Sequence, residues 1–221
     1  MSRAKVRDTA HASLARGDAL AWFERVYEDA AGAAEAVPWA DLAPNPELVA
    51  WTKSSGWDGC GERALVVGCG LGDDAAWLSA RGCHVSAFDL SKTAIAWCEK
   101  RFPDSRVAWR VADLLAPPAE WSRAFDFVFE AYTIQSLPPA SDERRRAIAG
   151  LARFVAPGGT LLVLGREADA LPALADGPPW ALVRAEIEAC GAGLAQVGAI
   201  DRWHEKGDPV GRFRLVCRRD A

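Results

Sequence analysis

The chain has 221 residues, of which half are hydrophobic, and a formal net charge of -4 at pH 7. That length suits one α/β domain, and the acidic balance argues against a nucleic-acid partner, because nucleic-acid binders usually present a concentrated basic face. No stretch reaches the roughly 18 apolar residues that a membrane span needs. The six cysteines lack CxxC spacing, so the sequence predicts no metal site and fits a reducing cytoplasm.

The first sixty residues have a helical pattern interrupted by prolines. Residues 8–31 are rich in Ala, Leu and Glu, with apolar residues at helical spacing, which predicts one amphipathic helix. A proline-rich segment follows, and PELVAWTKSS predicts a second helix that ends at Gly56. We therefore expect a single domain, residues 1–221, in which a helical cap (1–60) precedes an α/β core (61–221).

From Arg63 onwards the sequence alternates between buried strands and helices. The strand segments are ALVVG, HVSAFDL, RVAWRVAD, FDFVFEAY and GTLLVLGRE, and Ser91 is placed to cap the helix after the second. The basic run Arg144 to Arg146 predicts a solvated helix face. Two alternating segments at the end, LAQVGAIDRW and GRFRLVCRR, predict an antiparallel hairpin. The pattern predicts an α/β fold with a mixed, mostly parallel sheet covered on both faces.

The turn after the first strand carries Gly68, Gly70 and Gly72 in the order GxGxG. A dinucleotide-binding fingerprint would need another glycine at the position of Asp73. Asp73 and Asp74 stabilise the dipole of the helix they begin, and their charge would repel a diphosphate there. S-adenosylmethionine fits better, because its ammonium and sulfonium groups are cationic and glycines let the backbone approach it closely.

Two further acids end the next two strands. Asp89 closes the second strand, 19 residues after Gly70, where a carboxylate can accept both ribose hydroxyls. Asp113 closes the third strand, where it can meet the adenine amino group. Both lie at the carboxyl ends of predicted parallel strands, the edge at which open α/β sheets bind ligands.

Residues 63–165 resemble the class I S-adenosylmethionine-dependent methyltransferases, from VVGCGLGDD through AFDLS and VADLL to LARFVAPGGTLLVL. The segment VGCGLGDDAAWLSARGCHVSAFDLS is most similar to the branch of thiopurine, halide/thiol and tellurite-resistance methyltransferases. This resemblance implies a Rossmann-like, seven-stranded sheet with a reversed C-terminal hairpin, and an N-terminal helical cap that bears tryptophans.

The resemblance also implies a set of site residues. The cofactor contacts would be Gly68, Gly70, Gly72, Asp89, Leu90, Asp113, Leu114 and Glu130. The chain has EAYT after its fourth strand, where related DNA and protein-glutamine methyltransferases carry NPPY, which argues against those substrate classes.

Glu130 and Tyr132 are the candidate catalytic residues, for proton handling or substrate orientation. For Glu130 a role as ligand of the cofactor ammonium stays equally open, and for Tyr132 simple packing in the pocket wall stays open as well. Candidate substrate contacts are Tyr132, Gln135 and two tryptophans of the cap, Trp22 and Trp39, whose indole faces suit a sulfonium or an aromatic acceptor.

The sequence therefore predicts methyl transfer from S-adenosylmethionine to a small molecule by in-line displacement. A thiol, another chalcogen or a heteroaromatic nucleophile is the leading acceptor, because a soft nucleophile needs little base assistance. Three alternatives stay open: an O- or N-methyltransferase of a secondary metabolite, an NAD(P)-dependent oxidoreductase, and a non-catalytic nucleoside-ligand-binding protein.

Overall fold

The computed structural model describes residues 1–221 and separates them into two units, Met1–Asp113 and Leu114–Ala221. The first unit contains α1 (Arg3–Ala15), α2 (Ala21–Ala30), α3 (Pro46–Ser55), β1 (Arg63–Val67), α4 (Asp73–Ala80), β2 (His84–Asp89), α5 (Lys92–Arg101) and β3 (Ala108–Val111). The second contains β4 (Phe125–Ala131), α6 (Asp142–Gly150), β5 (Val155–Glu167), α7 (Arg184–Cys190), β6 (Ala195–Gln196), β7 (Asp201–His204) and β8 (Gly211–Arg218). No helix combines the length and apolarity needed to cross a bilayer.

The N-terminal segment forms two helices, so the prediction of one continuous helix over residues 8–31 was wrong. The break falls at Gly17, which has a φ of +78°, and at Asp18. The Asp18 carboxylate accepts hydrogen bonds from the backbone N–H groups of Leu20 and Ala21, at 3.1 and 2.9 Å. A side chain that caps a new helix competes with continuation of the old one, and an amphipathic pattern does not reveal that competition.

The strands of the first unit are parallel, in the order β3-β2-β1. Ala64 to Val67 of β1 are at most 2% exposed, as their continuous apolar run predicts. The register pairs Val67 with Phe88 and Asp89 with Val111, so the three strands end at the same edge. This edge therefore carries both the glycine turn and Asp89.

In the second unit the strand order is β4-β5-β8-β6, and β7 also pairs with β8. β4 and β5 are parallel, whereas β8 runs antiparallel to its partners. The segment predicted as one strand over residues 194–203 is divided into β6 and β7, around Gly198 with a φ of +72°. The two units thus hold eight strands rather than the seven expected.

The basic run on α6 is solvated at Arg145 and Arg146, as expected, but not at Arg144. The Arg144 side chain is fully buried and forms a bidentate ion pair with Glu186, at 2.9 and 2.7 Å. It also donates to the carbonyl oxygens of Leu137, Trp180 and Ala181. A guanidinium has five donors, and this one is buried because its neighbours accept hydrogen bonds from it.

Candidate cofactor site

The turn between β1 and α4 depends on glycine. Gly68, Gly70 and Gly72 have φ values of +60°, +53° and +86°, in the left-handed region that favours glycine. At Gly72 a Cβ atom would lie 2.7 Å from the Trp109 ring and 2.9 Å from the Cys98 sulfur. The Trp109 and Cys98 side chains therefore pack directly against the turn and leave no room for a side chain at Gly72.

Asp89, at the end of β2, joins this turn to the next one. Its Oδ2 accepts a hydrogen bond from the Gly70 N–H at 3.0 Å, and its Oδ1 accepts one from the Ser91 N–H at 2.9 Å. Burial raises the pKa of Asp89 to about 6, although the two N–H groups oppose that shift. One carboxylate thus joins its own turn to the glycine turn, which lies 19 residues earlier in the chain.

The residues at the carboxyl ends of β2 and β3 present apolar surface at the same edge. Leu90 is 37% exposed and Val111 is 56% exposed, which are large fractions for aliphatic side chains. The Ala112 N–H donates to the Asp89 carbonyl at 3.1 Å, so the two strand ends are held together. Asp113 follows and is half-buried, as is Leu114, the first residue of the second unit. Exposed apolar atoms beside a glycine turn suit a planar base.

The expectation that the two aspartates that begin α4 repel a diphosphate is weakened, because neither is a fully free charge. Asp73 forms a bidentate ion pair with Arg101, at 2.7 and 2.8 Å, and Arg101 also contacts the Leu71 carbonyl. Asp74 accepts a hydrogen bond from the Asn45 N–H at 2.6 Å, and burial raises its pKa to about 6. The preference for S-adenosylmethionine therefore cannot rest on these two charges.

In the second unit, Glu130 lies at the end of β4 and is 2% exposed. Its Oε1 accepts hydrogen bonds from the N–H groups of Thr133 and Ile134, at 2.7 and 3.1 Å. Burial raises the pKa of Glu130 to about 7, against the opposing effect of these donors. The carboxyl group can therefore exchange a proton near neutral pH.

Tyr132 and Gln135 lie in the loop that Glu130 organises. Tyr132 has a φ of +62°, and its N–H donates to the Leu164 carbonyl at 3.1 Å. The Gln135 side-chain oxygen accepts a hydrogen bond from the Arg166 N–H at 3.0 Å, and Gln135 is buried. Glu130, Tyr132 and Gln135 thus lie within six residues of chain, in the segment that begins at the end of β4.

The two tryptophans proposed to contact a substrate differ in exposure. Trp22 is 2% exposed and packs with Val6, Ala10 and Val26 of α1 and α2. Trp39 is 41% exposed, and its indole N–H donates to the Tyr27 hydroxyl at 3.0 Å. Their rings meet edge to face, with centroids 6.1 Å apart. Trp39 is therefore the one whose ring surface is available to a ligand.

Sequence reasoning missed two residues of α2 that lie against the β1–α4 and β2–α5 turns. Glu24 binds Ser91 and Thr93, and Tyr27 lies beside Gly70. Their spacing of three places both on one helix face, but no motif in the sequence marks that face as a partner of the two turns.

Comparison with known proteins defines the class of this fold and then its family. A model described as a methyltransferase domain matches residues 65–163. Among solved structures, the Burkholderia thailandensis 1,6-didemethyltoxoflavin-N1-methyltransferase aligns with a TM-score of 0.68 at 16% identity, covering 100% of this chain and 92% of that one. The Bradyrhizobium japonicum N-methyltransferase NodS gives a TM-score of 0.62 at 20% identity, covering 80% and 85%. Both were solved with S-adenosylhomocysteine bound, and the fold is the Rossmann-like class I methyltransferase fold.

Two curated relatives are more similar in sequence. The thiopurine S-methyltransferase of Pseudomonas entomophila is 32% identical over 173 residues, which cover 68% of this chain and 78% of that protein. A probable thiol methyltransferase of Arabidopsis thaliana is 29% identical over 184 residues, covering 82% and 76%. The chain belongs to the S-adenosylmethionine-dependent methyltransferases that act on small molecules, and S-adenosylmethionine is its methyl donor.

Proposed function

We propose that this methyltransferase transfers the methyl group to the sulfur of a small thiol, or to a related chalcogen or heteroaromatic nucleophile. The observation that carries this proposal is the similarity to a thiopurine S-methyltransferase over 68% of the chain. A second relative, similar over 82% of the chain, is named as a probable thiol methyltransferase. Both names include sulfur acceptors, and the similarity extends well beyond the matched domain of residues 65–163.

The cofactor contacts would come from the edge formed by β1, β2 and β3. The glycine turn would approach the methionine moiety, and Asp89 would accept the ribose hydroxyls. A carboxylate has about four lone-pair sites, so Asp89 can hold its turns through backbone N–H groups and still accept a ribose hydroxyl. Leu90 would cover the adenine ring, with Asp113 and Leu114 at its amino edge.

When bound, the donor supplies an electrophilic methyl group, which forms a bond to the acceptor sulfur as its bond to the sulfonium breaks. A thiol that ionises near neutral pH loses its proton to solvent and needs no strong base. Glu130 would have one of two roles: accepting the acceptor proton, which its pKa of about 7 allows, or binding the cofactor ammonium. Tyr132, Gln135 and Trp39 are the proposed acceptor contacts, whereas Trp22, which is 2% exposed, would support the Trp39 ring from within the cap.

The test is a comparison of acceptors that differ in one atom. Thiophenol, phenol and aniline would each be incubated with the protein and S-adenosylmethionine, and formation of S-adenosylhomocysteine would be measured. We expect kcat/KM for thiophenol to exceed that for phenol by at least about 100-fold, the scale of the base assistance that a phenol needs. Blanks without protein correct for spontaneous methylation of the thiolate.

Faster turnover of phenol or aniline would overturn the assignment to sulfur and identify an O- or N-methyltransferase. Binding of S-adenosylhomocysteine without turnover of any acceptor, thiopurines included, would contradict the proposed catalysis. The Glu130→Gln variant separates the two roles of Glu130: unchanged S-adenosylhomocysteine affinity with reduced turnover indicates proton handling, whereas weaker binding indicates contact with the cofactor.

A further inference from the structure

Glu24, on α2, is bonded to the turn that follows Asp89. Its Oε2 accepts hydrogen bonds from the Ser91 hydroxyl at 2.5 Å and from the Thr93 N–H at 3.3 Å. Its Oε1 accepts one from the Thr93 hydroxyl at 2.7 Å. Burial alone would raise the pKa of Glu24, but these hydrogen bonds outweigh it and lower the pKa. The carboxylate is therefore ionised and fixed at the start of α5.

Ser91 connects Glu24 to Asp89, the buried carboxylate of the candidate cofactor site. Its hydroxyl donates to Glu24 while accepting from the Ala94 N–H at 3.0 Å, which caps α5. Its backbone N–H donates to Asp89 Oδ1 at 2.9 Å. Fixing the Ser91 side chain thus fixes the backbone donor that orients Asp89.

Tyr27 lies one helical turn after Glu24 and reaches the other cofactor turn. Its side chain is 2% exposed, and a Cβ atom on Gly70 would lie 3.4 Å from its hydroxyl. Burial and the negative charge of Asp89 raise the pKa of Tyr27 well above its ordinary value. The hydroxyl accepts a hydrogen bond from Trp39 and retains its own proton for donation.

Packing holds α2 in this position. Tyr27 and Ala30 of α2 belong to one apolar cluster with Leu71 of the glycine turn and Ala94 of α5. Glu24 and Tyr27 are three residues apart, so they lie on the same helix face. That face spans both turns that Asp89 joins.

We propose that Glu24 and Tyr27 are positioning residues that hold the β1–α4 and β2–α5 turns in the geometry that binds the methyl donor. This inference rests on the proposed role of those turns in cofactor binding, but not on the identity of the acceptor. Glu24 acts through Ser91 and Thr93, and Tyr27 acts at Gly70 beside Asp89. Donor affinity is accordingly set by the N-terminal helices as well as by the glycine motif.

The experiment compares Glu24→Gln with Glu28→Gln, which makes the same charge change one turn further along α2, at an exposed position. Calorimetric titration with S-adenosylhomocysteine should show the Kd of Glu24→Gln rising about 10-fold, the scale of one charged hydrogen bond. Glu28→Gln should stay within about 2-fold, the usual range for an exposed site. Tyr27→Phe, which keeps the ring packing, should raise the Kd about 5-fold through loss of one hydroxyl.

Two further readouts distinguish positioning from mere stabilisation of the fold. KM for S-adenosylmethionine should rise in Glu24→Gln while kcat at saturating donor stays unchanged, because the variant affects binding and not the reacting atoms. Thr93→Val, which removes one partner of Glu24, should weaken binding in the wild type but add little in the Glu24→Gln background.

Unchanged Kd values in Glu24→Gln and Tyr27→Phe, with or without a lower melting temperature, would overturn the inference. If Glu24→Gln does not fold, unchanged affinity in Thr93→Val would overturn it instead. The wild type serves as the separate check on the cofactor site: failure of the wild type to bind S-adenosylhomocysteine would contradict that site, whatever the variants do.

Discussion

Two buried carboxylates, one in each unit, end a parallel strand and accept two backbone N–H groups, yet they organise different amounts of structure. Asp89 accepts from Gly70 and Ser91, which belong to separate turns. Glu130 accepts from Thr133 and Ile134, which belong to its own loop. An acid that joins distant segments can define a binding edge, whereas an acid that closes its own loop shapes that loop alone.

The difference also appears in what surrounds the two groups. Near Asp89, the Tyr27 hydroxyl and the Cys98 sulfur lie against the glycine turn, so its backbone has little freedom. Cys98 donates to the Gly70 carbonyl at 3.2 Å. We therefore expect the first unit to present its ligand edge already organised, so that binding needs little rearrangement.

The largest loss of stability should come from Gly72→Ala, which places a side chain in the β1–α4 turn that Asp89 holds. Its φ of +86° strains any side chain, and the new Cβ atom would meet the Trp109 ring at 2.7 Å. We expect a loss of roughly 3 kcal/mol in the free energy of unfolding, from the combined strain and overpacking. Urea denaturation of the wild type and the variant measures this loss.

Gly61→Ala is the matched control, because Gly61 has a φ of +79° but open space around a Cβ atom. Backbone strain alone should lower the free energy of unfolding of Gly61→Ala by about 1 kcal/mol. Equal losses in the two variants would show that packing behind the turn does not matter.

The next largest effect should be a pH dependence of the free energy of unfolding that comes from Glu130, the buried acid of the second unit. The folded-state pKa of Glu130 is about 7, above its ordinary value of 4.5. Its stabilising contribution is therefore complete below pH 4.5 and is lost as the pH rises through 7. Between pH 4.5 and 8 the wild type should lose about 3 kcal/mol through this group.

Glu130→Gln cannot ionise and should lack this part of the pH dependence, as urea unfolding at several pH values would show. The pKa values of Asp74 and Asp89, both about 6, contribute in the two proteins alike and cancel in the difference. Parallel stability curves for wild type and variant would contradict the assignment of a raised pKa to Glu130.

A smaller effect is expected at the ion pair that compensates the start of α4. Arg101→Gln leaves Asp73 without its bidentate partner, and both side chains are partly buried. We expect a loss of about 1 kcal/mol in the free energy of unfolding. Lys100→Gln, an exposed charge change on the same helix, should cost less than about 0.5 kcal/mol. Similar losses in both would show that Asp73 needs no partner.

Much of the fold could be predicted from local patterns in the sequence. The apolar run of β1 and the Ser91 cap of α5 are where the sequence places them, and the Ser91 hydroxyl accepts from Ala94 as expected. The two errors arose where one local interaction interrupts a periodic pattern. Asp18 starts a new helix within an amphipathic stretch, and Gly198 lies between β6 and β7 in a segment of alternating residues.

The candidate site was predictable only where a motif marks it. The glycine spacing and the strand-end position indicate Gly68 to Gly72 and Asp89. No such pattern marks Glu24, whose partners Ser91 and Thr93 are 67 and 69 residues away in the chain. Arg144 was misjudged for the same reason, because Glu186, 42 residues later, makes its burial possible.

The central claim is that Asp89 joins the β1–α4 and β2–α5 turns in the geometry proposed to bind the methyl donor. The most direct test is calorimetric titration of S-adenosylhomocysteine into wild type, Asp89→Asn and Asp104→Asn. Asp104 is exposed in the same unit and controls for the charge change. The account predicts a loss of about 100-fold in affinity for Asp89→Asn, or about 2.7 kcal/mol, and a change within about 2-fold for Asp104→Asn. Wild-type affinity in Asp89→Asn would contradict the account.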